Sequence, residues 1–300
     1  MYRKEIEKLA RIFYRVLLTM ATAVALALPS VASGQQQATA TTVLRAARMI
    51  DGTGAGPVAN AVIVVTGDRI IAVGTTASVR IPAGARVIDL GDATLLPGFI
   101  DTHTHIIGRT LGDPMADLAV VKDHRSYGAI IGVANAEKTL MAGFTTIRVV
   151  GSGDFDDIAL RQAIDDGRVP GPRMQSAGHS LGITGGHCDE NGFRPGLLEM
   201  GVKEGVANGA EEVRASVRYQ VKYGADVIKT CATGGVLSEG DAVGTTQYTY
   251  EEMKAMVDEA GKLERKVAAH AHGTEGIKIA TRAGVASIEH GSFLDAEGRG

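Results

Sequence analysis

The stretch LLPGFIDTHTHI, residues 95–106, is the most informative part of the sequence for both the fold and a functional site. Its apolar run turns at Pro97 and Gly98, resumes, and ends in His103 and His105. Residues two apart in a strand project to the same side, so the two imidazoles should point together. At the carboxyl end of a strand such a pair suits a transition metal. A pair of structural histidines is the alternative that this short motif leaves open.

After this stretch, apolar strands alternate with amphipathic helical segments. Six strands are predicted, which begin near residues 96, 144, 172, 225, 266 and 285. This alternation predicts a parallel sheet covered by helices, which is an α/β fold. A complete (β/α)8 barrel usually needs about 250 residues, more than the region 96–300 provides. We therefore expect an incomplete TIM-like barrel with about six strands.

The sequence before the barrel region has two parts. Residues 1–34 join a basic leader to the uncharged run VLLTMATAVALALP and then to small residues, which is typical of a signal peptide. The run is shorter than the roughly 18–20 residues that span a bilayer, which disfavours a membrane anchor. An exported protein, periplasmic or secreted, with no stable membrane span after cleavage is expected. Residues 35–95 predict short strands, with a hairpin turn at Asp68.

Composition excludes some classes of function. The formal net charge of −3 argues against a nucleic-acid-binding surface. Cys188 and Cys231 are too few for a disulfide framework. Neither has a convincing base and orienting partner in the sequence, so a cysteine nucleophile is disfavoured. The sequence is compatible with a homo-oligomer but does not determine the oligomeric state.

Further candidate residues end other predicted strands. Lys229, His270 and His290 stand at the carboxyl ends of strands four, five and six, where barrel active sites are built. An ammonium group in an apolar strand is costly unless it is paired, so Lys229 requires a chemical explanation. Reaction with CO2 to an anionic carbamate that bridges two metals is one, and a Schiff-base lysine is the other. A Schiff-base enzyme does not need these histidines, which favours the carbamate.

Several separate motifs agree in order and spacing: LLPGFIDTHTHI, AGFTTIRVVGSG, ITGGHCDENG, ADVIKTCATGGV, VAAHAHGTEGIKIATRAG and SIEHG. With these motifs the chain resembles the amidohydrolase superfamily, in its imidazolonepropionase-like and Xaa-Pro or Xaa-Arg dipeptidase branch. The resemblance covers residues 42–300. It implies a (β/α)8 metallohydrolase barrel, residues 96–300 here, and a small β-sandwich subdomain to which residues 35–95 contribute.

The resemblance also implies a binuclear centre of two divalent metals, with zinc expected. His103 and His105 would bind the first metal, and His270 and His290 the second. Carbamylated Lys229 would bridge the two metals. A bridging hydroxide would then attack the amide carbonyl of a dipeptide or an N-acyl amino acid.

Two more histidines are candidates for catalytic or substrate-binding roles. His187, in a Gly-rich loop, could donate a hydrogen bond to the substrate, and a simple turn residue is the alternative. His272 lies two residues after His270 and could contact substrate or a metal ligand, or be a loop histidine. Hydrolysis of a cyclic amide, as by imidazolonepropionase, is the alternative activity.

The family pattern has a further Asp at the end of strand eight, and this sequence stops at Gly300, before strands seven and eight. Asp295 lies too close to His290 to be that residue. We therefore expect a C-terminally truncated sequence. A catalytically defective fragment that only binds metal or ligand is a further alternative.

Overall fold

The structure, a computed structural model, describes residues 40–110 and 112–296. The signal peptide predicted for residues 1–34 lies outside these described residues. The chain divides into two units after Pro97, and each is described by itself. The sequence placed this boundary after residue 95. None of the helices in the described ranges combines the length and the apolar character that crossing a membrane requires.

The first unit contains one mixed sheet of five strands. They are β1 (Thr41–Met49), β2 (Val58–Thr66), β3 (Arg69–Thr75), β4 (Arg86–Asp89) and β5 (Thr94–Leu95). The order is β3-β2-β1-β4, and β5 also pairs with β1. The antiparallel β2–β3 pair confirms the hairpin predicted at Asp68. Val43, Val62 and Val64 are buried on one face. The described residues of this unit form this sheet alone, so the β-sandwich stays a prediction.

The second unit contains six parallel strands in two sheets. They are β6 (Phe99–Thr104), β7 (Phe144–Val149), β8 (Arg173–Ser176), β9 (Val227–Cys231), β10 (Lys266–Ala271) and β11 (Ser287–His290). The first sheet has the order β6-β7-β8 and the second the order β9-β10-β11. A parallel bridge between Leu181 and Thr230 connects the region after β8 to β9. The six strands predicted from the sequence are confirmed.

Helices separate these strands, as expected for an α/β fold. They are α1 (Ala119–Lys122), α2 (Tyr127–Met141), α3 (Asp156–Asp165), α4 (Gly209–Lys222), α5 (Tyr250–Lys262) and α6 (Thr274–Ala283). Helix α5 begins after Thr249, whose side chain accepts a hydrogen bond from the Glu252 backbone N–H. Helix α2 was not predicted from the sequence.

Two apolar clusters fix the strands of the second unit against their helices. The larger one joins α4, α5 and α6 to β9 and β10, and includes Val217, Ile228 and Met256, all fully buried. The smaller joins α2 and α3 to β7 and includes Ile147 and Leu160. Each cluster immobilises one sheet, which fixes the direction in which its carboxyl ends point.

Candidate metal centre

The carboxyl-terminal parts of the parallel strands carry the predicted site residues. In the register of the second sheet, Lys229 lies beside Ala268, and Cys231 lies beside His270. His270 in turn lies beside Glu289 on β11. Residues in register on parallel strands face the same side of the sheet, so Lys229 sits one layer below His270.

The histidine rings of the two sheets converge. The ring centroids of His103 and His105 are 5.4 Å apart. The His103 ring lies 4.8 Å from that of His290. The His290 ring lies 4.7 Å from that of His270. The four histidines predicted from strand ends therefore form one continuous cluster across the two sheets.

His272 joins the same cluster. One ring nitrogen from each of His270, His272 and His290 lies within 4.8 Å of the other two, a grouping that could hold a metal ion. The rings of His272 and His290 are stacked with centroids 4.8 Å apart. Nδ1 of His272 is 2.7 Å from Oγ of Ser292. His272 therefore lies in the loop directly after β10, together with two other histidines in a group that could hold a metal ion.

The backbone at His290 departs from the strand. Its φ is 74°, in the left-handed region that residues other than glycine seldom adopt. Gly291 follows with a φ of 59°, and its N–H donates to the carbonyl of Ala271 at 3.0 Å. Because of this turn, the His290 ring does not follow the alternating side-chain directions of the strand, and it lies near the rings of His272 and His103. Such local strain is commonly found at functional sites.

The loop after β8 brings His187 to the cluster. Its ring centroid lies 4.2 Å from that of His270. Its Nδ1 is buried and has no hydrogen-bond partner within residues 40–110 and 112–296. A Cβ added to Gly235 would lie 2.2 Å from Cε1 of His187, so the ring can keep this position only against a glycine. An unpaired buried ring nitrogen beside the histidine cluster is suited to a ligand or substrate.

Cys188 and Cys231 form a disulfide, with Cα atoms 5.8 Å apart. This pair was not predicted from the sequence, in which two cysteines are too few for a disulfide framework. The reason is that 43 residues separate the two, and only the folded loop brings them together. Both thiols are occupied, which also removes the cysteine-nucleophile alternative in this state.

Lys229 is buried, with 4% of its surface exposed. Burial lowers its pKa to about 8, and the nearby positive charge of Arg148 adds to this while Glu289 opposes it. The neutral amine, which is the form that reacts with CO2, is therefore far more populated near neutral pH than for an exposed lysine. This environment permits the chemistry inferred from the sequence.

His270 is held neutral. Burial, followed by the charges of His187 and Lys229, lowers the pKa of His270 to about 3, although a hydrogen bond to the carbonyl of Gly234 opposes the shift. A neutral imidazole is the form that binds metals. A donor set of neutral imidazoles suits zinc or a similar divalent ion.

Glu289 was not predicted from the sequence. Its Oε2 lies 2.8 Å from Nδ1 of His103, and its Oε1 accepts from Nη2 of Arg148 at 2.7 Å. Burial raises the pKa of Glu289, but its hydrogen bonds to His103 and Ser287 and the charge of Arg148 lower it overall, to about 2. The residue stands in the quoted motif SIEHG, yet the sequence does not show that its partners come from the other sheet.

Comparison with known proteins supports this interpretation. The model of the amidohydrolase family matches residues 94–299. Ochratoxinase from Aspergillus niger is 34% identical over 279 residues, which are 85% of this chain and 55% of the relative. Imidazolonepropionase from an Arthrobacter species is 28% identical over 252 residues, which are 79% of this chain and 56% of the relative.

Solved structures agree with these relatives. A Xaa-Pro dipeptidase with methionine bound in its active site superposes with a TM-score of 0.80 at 38% identity, over 86% of this chain and 63% of that one. A prolidase in complex with N-methylphosphonate-L-proline gives a TM-score of 0.76 at 35% identity, over 86% of this chain and 62% of that one. The chain therefore spans between half and two thirds of the length of these proteins.

Proposed function

The chain belongs to the amidohydrolase family, and from this premise we propose that its protein is a binuclear metal-dependent amidohydrolase. It would hydrolyse the amide bond of dipeptides or N-acyl amino acids. The observation that carries the proposal is the convergence of His103, His105, His270 and His290 across two sheets. We also propose a TIM-like (β/α)8 barrel that acts after export.

The ligands of the two metals follow from the two sheets. His103 and His105, from β6, would hold one ion, and His270 and His290 would hold the other. Lys229, as a carbamate, would supply an oxygen to each. When bound, two such ions would activate water at neutral pH and polarise the scissile carbonyl. Zinc fits this set of nitrogen and oxygen donors.

The remaining side chains of the cluster would position the substrate. His187 has a buried Nδ1 without a partner among the described residues, and it could hydrogen-bond the carbonyl or carboxylate of a substrate. His272, whose ring centroid lies 4.7 Å from that of His270, would also contact the substrate. The three-histidine grouping gives His272 a second candidate role, as a ligand of the ion at His270 and His290.

The choice of substrate class rests on the similar proteins. The Xaa-Pro dipeptidase and the prolidase are 38% and 35% identical to this chain. Ochratoxinase, at 34%, supports a hydrolase of the same family. The imidazolonepropionase is 28% identical, so hydrolysis of a cyclic amide is the second candidate.

Metal analysis and a substrate panel test the proposal. Purified protein would be supplied with Zn²⁺ and bicarbonate, its metal content measured, and amine release followed with Xaa-Pro dipeptides, N-acyl amino acids and a cyclic amide. We expect two ions per chain, and turnover of the first two substrate classes. His270→Gln should lose metal and turnover, whereas His124→Gln, at an exposed position, should lose neither.

Other outcomes would identify the alternatives. Bound metal without turnover of any of the three classes would support the fragment that only binds metal or ligand. Turnover of the cyclic amide alone would support the second candidate activity. Protein without stoichiometric metal would contradict the proposed function.

A further inference from the structure

We propose that Glu289 is a positioning residue that fixes the His103 ring so that Nε2, and not Nδ1, faces the metal centre. The inference rests on the proposed function, because it concerns a ligand of the proposed first metal. Oε2 of Glu289 lies 2.8 Å from Nδ1 of His103. The carboxylate is the acceptor of this contact, so in a neutral imidazole ring Nδ1 carries the proton and Nε2 carries the lone pair.

The second oxygen of Glu289 is held as firmly as the first. Its Oε1 accepts from Nη2 of Arg148 at 2.7 Å and from Oγ of Ser287 at 2.7 Å. The side chain of Glu289 is only 7% exposed, and that of Arg148 only 18%. A buried carboxylate with both oxygens engaged has little freedom to rotate, so the position of the His103 ring is well defined.

Arg148 closes the network onto the strand of His103. Its Nε donates to the carbonyl of Thr102 at 2.7 Å. Arg148 lies on β7, Thr102 and His103 on β6, and Glu289 on β11. The network thus ties the first sheet to the second at the level of the histidine cluster. Glu289 also lies in register with His270. The carboxylate that orients the proposed ligand His103 therefore lies beside a second proposed ligand, His270.

A carboxylate behind a ligating histidine has a known physical effect. It selects the tautomer, orients the ring and increases the basicity of the ligating nitrogen, and its loss typically weakens metal binding by about 10–100-fold. The alternative is a purely structural ion pair between Arg148 and Glu289. That alternative predicts a loss of stability and no specific change in metal affinity.

Glu289→Gln separates the two interpretations. The glutamine keeps the size of the side chain, but its amide group can donate to Nδ1 of His103 and so favour the opposite tautomer. Glu259→Gln is a matched control, since Glu259 is also buried and accepts from Nε of Arg218 at 2.7 Å, on helix α5 away from the cluster.

Zn²⁺ affinity would be measured by competition with a chromophoric chelator, beside the unfolding free energy of the metal-free proteins. We expect Glu289→Gln to weaken one of two sites by about 10–100-fold, and Glu259→Gln to change stability alone. Equal affinity of wild type and folded Glu289→Gln would overturn the inference and leave the proposed function standing. A wild-type protein that binds no Zn²⁺ would overturn both.

A measurement on the wild type covers the case in which Glu289→Gln does not fold. Long-range ¹H–¹⁵N spectra of histidine side chains report the tautomer of each ring, and comparison with His103→Gln assigns the His103 signals. We expect the Nδ1–H tautomer in metal-free protein. The Nε2–H tautomer at His103 would contradict the inference.

Discussion

The disulfide between Cys188 and Cys231 joins the loop that carries His187 to the strand that carries Lys229. Cys188 directly follows His187, and Cys231 lies two residues after Lys229. The loop is further held by the His187 ring against His270, with centroids 4.2 Å apart. The disulfide thus restrains the loop at the point where it meets the histidine cluster.

The first prediction is that the double variant Cys188→Ala/Cys231→Ala loses stability. Cross-linking residues 43 apart restricts the unfolded chain, and its removal should lower the unfolding free energy by about 2–4 kcal/mol. Denaturant titration with and without reductant measures this. The wild type should move to the variant's midpoint when reduced, and the variant should not respond. An unchanged wild-type midpoint in full reduction would contradict the prediction.

The second prediction concerns the fit between Gly235 and His187. In Gly235→Ala the new methyl group would meet the His187 ring at 2.2 Å, so the ring must leave its present position. If His187 binds substrate, KM should rise about 10-fold or more, because a lost hydrogen bond to a charged group costs about 1.5–3 kcal/mol. Gly261→Ala, where a Cβ has open space, should leave KM unchanged. Equal KM values for both variants would exclude the role of His187.

The sequence was sufficient to predict the strands and four of the cluster histidines. Regular alternation of apolar and helical segments determines the order of β6 to β11, and the carboxyl ends of parallel strands meet at one edge. His103, His105, His270 and His290 could therefore be grouped without coordinates. The sequence around each of these histidines is enough to place it at the end of a strand, because strand ends are determined locally.

The sequence could not predict contacts that depend on two distant segments. Glu289 and His103 are 186 residues apart, and no local pattern distinguishes a buried glutamate that orients a histidine from an exposed one. The disulfide was missed for the same reason. Helix α2 was missed because its residues, YGAIIGVANAEKTLM, are apolar over much of the surface and give a weak amphipathic pattern.

The third prediction is a pH dependence of stability that originates at Asp157. This residue is fully buried, with Oδ2 accepting from the Gly178 N–H at 3.0 Å. Burial raises its pKa from 3.8 to about 6, although its backbone hydrogen bonds and the charge of Arg161 oppose the shift. The folded state therefore binds more protons than the unfolded state between those values, so this group's contribution falls as pH rises.

Asp157→Asn isolates that contribution. The shift corresponds to about 3 kcal/mol, so the stability of wild type minus that of the variant should fall by up to this amount from pH 4 to pH 7. Unfolding free energies at several pH values measure the difference. Asp68→Asn, in the exposed hairpin turn, measures the effect of removing a surface carboxylate. A difference that rises with pH would show that Asp157 is stabilised as the anion.

The fourth prediction separates the metal-binding and structural effects of Lys229. Burial lowers its pKa from 10.5 to about 8. This shift means that folding disfavours the charged amine by about 3 kcal/mol. Lys229→Met replaces it with an apolar side chain of similar length. The metal-free variant should therefore be as stable as the wild type or up to about 3 kcal/mol more stable, while its metal content falls to one ion per chain or fewer. Lys266→Met, exposed at the start of β10, should change neither quantity.

The proposed carbamate can be tested directly in the same proteins. With ¹³C-bicarbonate, wild-type protein supplied with Zn²⁺ should show one carbamate resonance that is absent in Lys229→Met and retained in Lys266→Met. An ammonium group on Lys229 would repel nearby metal ions. A carbamate on Lys229 is anionic, so its formation would replace this repulsion with attraction. A Lys229→Met variant with full metal content and no loss of affinity would show that the lysine is structural, and that the histidines hold the ions without a bridge.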